Sequence, residues 1–219
     1  MNGRSAVAAL AVVVTALSGA CSSDQAKPTG PPPIADRCLV LLHGKGGRGE
    51  NPSLDANGIA RLVPNGNARD GDGRKWIYFP DAEYDAAVAV VRSAIEASQC
   101  KQVILGGFSN GAAFAAKLYC RGERFADTVI SYVVDDPVPD AATQGCTPAA
   151  DTTVSLFWTG GLADTAQPGW NCSDGGWICE GGTTIGIDAY AAALGTEAVQ
   201  SARTKHEFWS ENPALTAWP

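Results

Sequence analysis

The sequence predicts an α/β fold with a mainly parallel central sheet of about six strands flanked by helices. From Cys38 onward, short apolar runs alternate with helical patterns, which is typical of strands joined by crossover helices. The chain has 219 residues, 45% of them hydrophobic, and shows no repeat period, so it is long enough for one well-packed domain.

Six apolar runs are predicted strands, and three segments with helical periodicity are predicted helices. The strands are expected at residues 39–42, 59–63, 103–106, 128–134, 154–159 and 199–203. The helices are expected at residues 85–98, 112–118 and 184–194. Because chemistry in such sheets collects at the carboxyl ends of the strands, the loops that follow the strands are the first place to look for a site.

The first 36 residues are predicted to precede the folded domain, which is expected at 37–219. Arg4 is followed by an uncharged run, residues 5–20, that is too short for a comfortable membrane span. This start resembles a bacterial lipoprotein signal peptide, residues 1–20, which implies cleavage before Cys21 and a lipid on its sulfur. An ordinary secretory peptide cut nearby is the alternative. Residues 21–36, rich in proline and polar residues, are expected to form a disordered tether.

Charge and cysteine content limit the partners. The formal net charge is −7 without any cluster of Lys or Arg, which argues against nucleic-acid binding and against a polybasic membrane patch. Membrane contact is expected through the lipid anchor only, and the protein is expected to be a monomer. Seven cysteines minus Cys21 leave an even set of six, as expected of disulfides in an exported protein.

The NARDGDG segment, residues 67–73, has Tyr78 where a calcium loop needs an acid, so it is predicted to be a solvated loop. No metal and no cofactor are predicted.

The clearest motif is Gly107-Phe108-Ser109-Asn110-Gly111, between a predicted strand and a predicted helix. A nucleophilic serine needs this context, because a sharp strand-to-helix turn exposes its hydroxyl and only small residues let the two backbones cross closely. Three further loops follow predicted strands: HGKGG at 43–47, GGLAD at 160–164 and KHEFW at 205–209.

These four stretches, in this order, resemble the α/β-hydrolase fold, and most closely its small carboxylesterase/phospholipase and dienelactone-hydrolase-like members. The resemblance runs from Cys38 to Trp209 and includes LVPNG followed by RKWIYFP. It implies Ser109 as nucleophile, His206 as base and Asp164 as orienting acid, without a cap domain. Asp136, at the end of the preceding predicted strand, is the alternative acid.

The resemblance also implies an oxyanion hole. The backbone N–H of Asn110, the residue after the nucleophile, is one expected donor. By similarity to HGxG loops the N–H of Lys45 is the second, with Gly46 as the alternative. His43 is then assigned to shaping this loop.

Fifteen pairings are possible for six cysteines. The fold resemblance makes the strands after Cys38 and Cys100 neighbours, which implies that these two are bonded. Proximity in sequence suggests Cys172–Cys179, and Cys120–Cys146 remains. Trp170 and Trp177 near the last pair either line a substrate rim or pack a stapled loop onto the body.

The sequence therefore predicts an exported serine hydrolase that cleaves carboxylic esters through an acyl-enzyme. The ester is expected to be a small molecule or a component of the cell envelope. An acyltransferase or peptidase with the same triad is one alternative. A catalytically silent lipoprotein that binds cell-envelope material is the other.

Overall fold

A computed structural model describes residues 32–219, so the predicted signal peptide, Cys21 and most of the predicted tether lie outside the described range. Ala35 is buried, and its N–H donates to the carbonyl of Ser98. The packed body therefore already includes Ala35, inside the segment 21–36 that was assigned to the tether.

A seven-stranded sheet with the order β11-β8-β7-β6-β1-β3-β2 forms the centre of the fold. All pairs in it are parallel except β2 with β3, which is antiparallel. The strands of this sheet are β1 (Arg37–Leu42), β2 (Glu50–Leu54), β3 (Ala60–Val63), β6 (Gln102–Phe108), β7 (Val129–Asp135), β8 (Thr153–Trp158) and β11 (Ala198–Gln200). Each of the six predicted strands is present. The added edge strand, β2, was not predicted because its sequence, ENPSL, is polar and largely exposed.

Three α-helices lie within residues 32–219: α1 (Asp81–Ala97), α2 (Asn110–Cys120) and α3 (Ile187–Leu194). Every residue of α2 is buried, which its many small alanine side chains allow, since they let the helix lie close to β6 and β7. Phe114 of α2 stacks on Trp76 and Tyr78, with ring centroids 5.1 and 6.2 Å apart. None of the helices in this range is long and apolar enough to cross a membrane.

Two small hairpins complete the described part of the chain. One pairs β4 (Ala68–Asp70) with β5 (Gly73–Lys75), and the other pairs β9 (Pro168–Asn171) with β10 (Thr183–Ile185). The first occupies the segment that was predicted to be a solvated loop. The segment is therefore a hairpin and not an irregular loop, although its tip at Gly71 and Asp72 is exposed. Its base packs on the HGKGG loop, where a Cβ on Gly73 would collide with the carbonyl oxygen of Gly46.

The three predicted disulfides are all present. Their Cα atoms are 5.8 Å apart in Cys38–Cys100, 4.2 Å in Cys120–Cys146 and 6.2 Å in Cys172–Cys179. The first joins the region just before β6 to the start of β1, and these two strands are neighbours in the sheet, as the fold resemblance implied. Disulfides of this number are typical of exported proteins.

Candidate active site

Ser109 lies between β6 and α2, in the sharp turn that the motif predicts. Its φ of 55° and ψ of −119° are values that residues other than glycine rarely adopt. The surrounding backbone maintains this conformation, because the N–H of Ser109 donates to the carbonyl of Asp135 over 3.1 Å and its carbonyl accepts from Ala112 and Ala113. The residue is only 3% exposed.

The two glycines of the motif leave room for this turn. A Cβ on Gly111 would collide with the carbonyl oxygen of Leu42, at the end of β1. A Cβ on Gly107 would collide with the carbonyl oxygen of Gly111. Only glycine therefore allows the strand, the helix and the end of β1 to meet around Ser109.

His206 is paired with Asp136, not with the predicted acid, Asp164. The Nδ1 atom of His206 lies 2.5 Å from Oδ2 of Asp136, whose side chain is completely buried. Asp164 is exposed in the turn after β8, and its carboxylate makes no hydrogen bond to any residue in the range 32–219. The contact with His206 that was expected of Asp164 is thus made by Asp136, the alternative acid.

The loop after β8 explains why Asp164 does not reach the histidine. This loop approaches His206 with its backbone, because a Cβ on Gly161 would collide with the backbone nitrogen of His206. Thr159, at the start of the loop, donates to Asp136 twice over 2.9 Å, from its N–H to Oδ1 and from its hydroxyl to Oδ2. These two bonds fix the orientation of the carboxylate that faces His206.

Asp135, the residue before Asp136, holds the loop that carries His206, a role that no sequence pattern predicts. Asp135 accepts from both terminal nitrogens of Arg203, at 2.5 and 3.2 Å, and from the N–H of Trp209 at 3.0 Å. The Arg203 guanidinium also lies over the Trp209 ring, 5.2 Å from its centroid. Burial raises the pKa of Asp135, and the hydrogen bond from Arg203 opposes that rise. Arg203 precedes His206 and Trp209 follows it, so these bonds to Asp135 fix the histidine loop to the end of β7.

Two backbone N–H groups in the loops around Ser109, those of Asn110 and Lys45, have no acceptor among the described residues. Asn110 is the first residue of α2, and the first N–H groups of a helix have no intrahelical acceptor. The N–H of Lys45 makes no hydrogen bond to the described residues, whereas the N–H of Gly46 donates to the carbonyl of Arg74 over 2.8 Å. Of the two alternatives in the HGKGG loop, Lys45 therefore has the unused donor.

Trp76 connects the two loops that carry these donors. Its backbone N–H donates to Oδ1 of Asn110 over 2.7 Å, and its carbonyl accepts from Nδ2 of Asn110 at 3.0 Å. Its indole N–H donates to the carbonyl of His43 over 3.1 Å. The side chain of Asn110 thus makes hydrogen bonds like those of a paired strand, a role that sequence patterns do not predict.

His43 has a structural role. Its Nδ1 donates to the carbonyl of Gly44 over 2.8 Å, and its Nε2 accepts from the N–H of Gly66 at 3.0 Å, which requires the neutral ring. Burial lowers the pKa of His43. Because both nitrogens are used by the backbone, His206 is the histidine with a ring nitrogen available to a serine.

Two surface cavities lie outside this site. One, of about 860 Å³, lies between α1 and the β2–β3 edge of the sheet. The other, of about 540 Å³, lies beside Lys117 and Glu180. Neither cavity is lined by Ser109 or His206. The candidate site is therefore identified by its residue types and their contacts, and not by the size of a cavity.

Comparison with known proteins supports the fold. The chain matches no protein-family model. No curated protein shows significant similarity to it. Among solved structures it resembles a carboxylesterase from Mesorhizobium loti, with 17% identity, a TM-score of 0.51 and coverage of 84% of this chain and 87% of the other. It also resembles a Bacillus cereus carboxylesterase, with 17% identity, a TM-score of 0.51 and coverage of 85% of each chain.

A protein of unknown function from Agrobacterium tumefaciens is similar to the same degree, with 20% identity, a TM-score of 0.51 and coverage of 85% of this chain and 91% of the other. At these identities the likeness establishes the α/β-hydrolase fold and leaves the chemistry to be argued from the site.

Proposed function

We propose that this protein is an exported serine hydrolase that cleaves carboxylic esters through an acyl-enzyme. Ser109 is the nucleophile, His206 the general base and Asp136 the acid that orients it. The N–H groups of Asn110 and Lys45 form the oxyanion hole. Asp164 has no part in this scheme.

The observation that carries the proposal is the pairing of His206 with a buried carboxylate beside a serine held in a strained turn. The ring of Phe108, the residue before the nucleophile, stacks on His206 with centroids 4.6 Å apart. The imidazole is therefore held beside the turn that carries Ser109. With Nδ1 bonded to Asp136, Nε2 is the nitrogen free to accept a proton.

In the first half of the reaction, Ser109 Oγ attacks the ester carbonyl carbon while its proton passes to Nε2 of His206. The carbonyl oxygen becomes an oxyanion and accepts from the N–H groups of Asn110 and Lys45. The tetrahedral intermediate then collapses, the bond from carbon to the alcohol oxygen breaks, and the alkoxide takes the proton from Nε2. An acyl-serine and a free alcohol result.

In the second half, water repeats these steps. A water molecule loses a proton to Nε2 of His206 and attacks the acyl carbon. The proton returns to Ser109 Oγ as the acid leaves, which restores the enzyme. Asp136 takes no proton in this scheme and stabilises the imidazolium that forms in each half.

The test compares ester hydrolysis by the wild-type protein and by Ser109→Ala on a panel of p-nitrophenyl esters of varied acyl length. We expect wild-type turnover and a loss of about 10³-fold or more in Ser109→Ala. Ser53→Ala is the matched control, because it removes the same atom from the exposed edge strand β2. No hydrolysis by the wild-type protein would favour the catalytically silent alternative. Product transfer to an added alcohol or amine in preference to water would favour the acyltransferase.

The proposal includes a lipid anchor at Cys21, which lies outside the described residues. The lipoprotein-like segment before Cys21 and the even number of remaining cysteines, all of them bonded, support it. Two or more acyl chains would hold the protein stably in a membrane. Detergent partitioning of the wild-type protein and of Cys21→Ala tests this, because only the wild-type protein should enter the detergent phase.

A further inference from the structure

Trp177 stands beside the catalytic histidine of the proposed mechanism. Its ring is perpendicular to the His206 ring, with an interplanar angle of 81° and centroids 5.2 Å apart. Phe108 stacks on the same imidazole, so aromatic rings contact His206 from two residues that are distant in sequence. Trp177 is half-buried, so part of its surface is exposed.

The segment that carries Trp177, here called the disulfide loop and defined as residues 172–179, is fixed at both ends. Cys172 and Cys179 are bonded and buried, and the N–H of Trp177 donates to the carbonyl of Cys172 over 2.9 Å. At the tip, a Cβ on Gly175 would collide with the Trp177 ring and crowd that of Trp170. The two indoles thus pack against one glycine.

Two lysines join the disulfide loop to the catalytic elements. Nζ of Lys45, in the HGKGG loop, donates to the carbonyl of Gly176 over 2.8 Å. Just after the loop, Glu180 accepts from Nζ of the buried Lys117, in α2, at 2.7 Å. The carboxylate of Asp140 accepts from the N–H of Glu180 at 2.6 Å. The disulfide loop is therefore held by hydrogen bonds to the HGKGG loop and to α2, on the side of the site where His206 lies.

The mechanism determines which part of a substrate meets the disulfide loop. In the first half of the reaction, His206 gives its proton to the leaving alcohol, so the alcohol oxygen must lie at Nε2. The group attached to that oxygen must then pass close to the imidazole, and the Trp177 ring lies against that imidazole. The acyl group stays bonded to Ser109 when the alcohol leaves.

We infer that Trp177 determines the alcohol specificity of the enzyme and favours esters of flat, aromatic alcohols. This inference rests on the proposed function. An indole and an imidazole at nearly right angles offer an aromatic group both an edge and a face, the arrangements that aromatic pairs prefer. Trp177 is thus a specificity-determining residue, and the disulfide loop positions it.

The test measures kcat/KM of the wild-type protein and of Trp177→Ala on four esters. Benzyl acetate carries the aromatic alcohol, cyclohexylmethyl acetate a group of similar size that is not flat, and ethyl acetate a small one. Benzyl butyrate changes only the acyl group. Because kcat/KM reports the steps up to acylation, it isolates the half of the reaction in which the alcohol leaves.

We expect Trp177→Ala to lower kcat/KM for both benzyl esters by about tenfold, the size of an aromatic pair contact, and to change ethyl and cyclohexylmethyl acetate by less than about threefold. Trp177→Leu keeps an apolar side chain of substantial size and should show the same pattern, which guards against a folding defect in the alanine variant. Trp218→Ala is the matched control, since Trp218 lies near Arg37 at the opposite end of β1. It should leave the ratio of benzyl to ethyl acetate unchanged.

Equal losses on all four esters would overturn the inference, because Trp177 would then only support His206. Equal losses on the benzyl and cyclohexylmethyl esters would overturn the preference for a flat alcohol. A change that followed the acyl group would also overturn it. Phosphonate labelling of Ser109 in each variant separates these outcomes from failure of the proposed function, because labelling requires the nucleophile and its base but no alcohol.

Discussion

Nδ1 of His206 and Oδ2 of Asp136 lie 2.5 Å apart, although Asp136 follows β7 and His206 lies in the segment after β11. The neighbouring Asp135 binds Arg203 and Trp209 on either side of the histidine in sequence. The end of β7 therefore supplies both the carboxylate that faces the imidazole and the one that holds its loop.

The acid assignment predicts different results for two conservative substitutions. Asp136→Asn should lower kcat by about 10³- to 10⁴-fold, because an amide no longer fixes the tautomer that leaves Nε2 free or stabilises the imidazolium. Asp164→Asn, on the exposed turn, should change kcat by less than about twofold. Steady-state kinetics of the two variants, with circular dichroism to establish their folding, check this. The reverse ranking would restore Asp164 as the acid.

The Asp135–Arg203 pair predicts a stability loss that depends on pH. Arg203→Met leaves a buried carboxylate without its cation, which should cost about 3 to 5 kcal/mol of unfolding free energy at neutral pH. Burial already raises the folded-state pKa of Asp135 and Arg203 opposes that rise, so the variant's folded pKa should be higher still.

The loss of unfolding free energy in Arg203→Met should grow as the pH rises. A raised folded pKa means that the stability contribution of Asp135 is complete below its unfolded pKa of 3.8 and is lost as pH rises through the folded pKa. Because the folded pKa is higher in the variant, its deficit relative to the wild-type protein should grow between pH 4 and pH 7. Urea unfolding at several pH values measures this. A deficit that is constant with pH would show that Asp135 is not the group left uncompensated.

How much the sequence predicts depends on how local the signal is. The strand-to-helix turn at Ser109 was predictable because its two glycines and the flanking strand and helix patterns are consecutive in the chain. The choice between Asp136 and Asp164 was not, because both follow a predicted strand and only packing decides which loop turns its carboxylate inward. The contacts of Trp76 with Asn110 and His43 join residues more than 30 positions apart and leave no pattern in the sequence.

The edge strand β2 and the β4–β5 hairpin were missed for a related reason. Both are short and polar, and tertiary contacts, more than their own composition, give them their conformation. The three disulfides were predictable because the fold resemblance placed two of the cysteines side by side and proximity fixed a second pair.

The disulfides should differ in their effect on stability. In the loop-closure account, Cys38–Cys100, with a sequence separation of 62, contributes about 4 kcal/mol, and Cys172–Cys179, with a separation of 7, about 2 kcal/mol. The double variant Cys38→Ala/Cys100→Ala should therefore lower the Tm more than Cys172→Ala/Cys179→Ala does, which scanning calorimetry measures. The second variant should instead lower the preference for benzyl esters, because it frees the loop that holds Trp177. An equal or larger Tm loss in the second variant would contradict the ranking.

The central claim is that Ser109 is the nucleophile activated by His206. Its most direct test is to treat the protein with a reactive alkyl phosphonate and map the modified residue by peptide mass spectrometry. We predict a single adduct on Ser109, abolished in Ser109→Ala, slowed by about 10³-fold or more in His206→Ala, and unaffected in Ser53→Ala. An adduct on a different serine, or labelling of Ser109 at an undiminished rate without His206, would contradict the account.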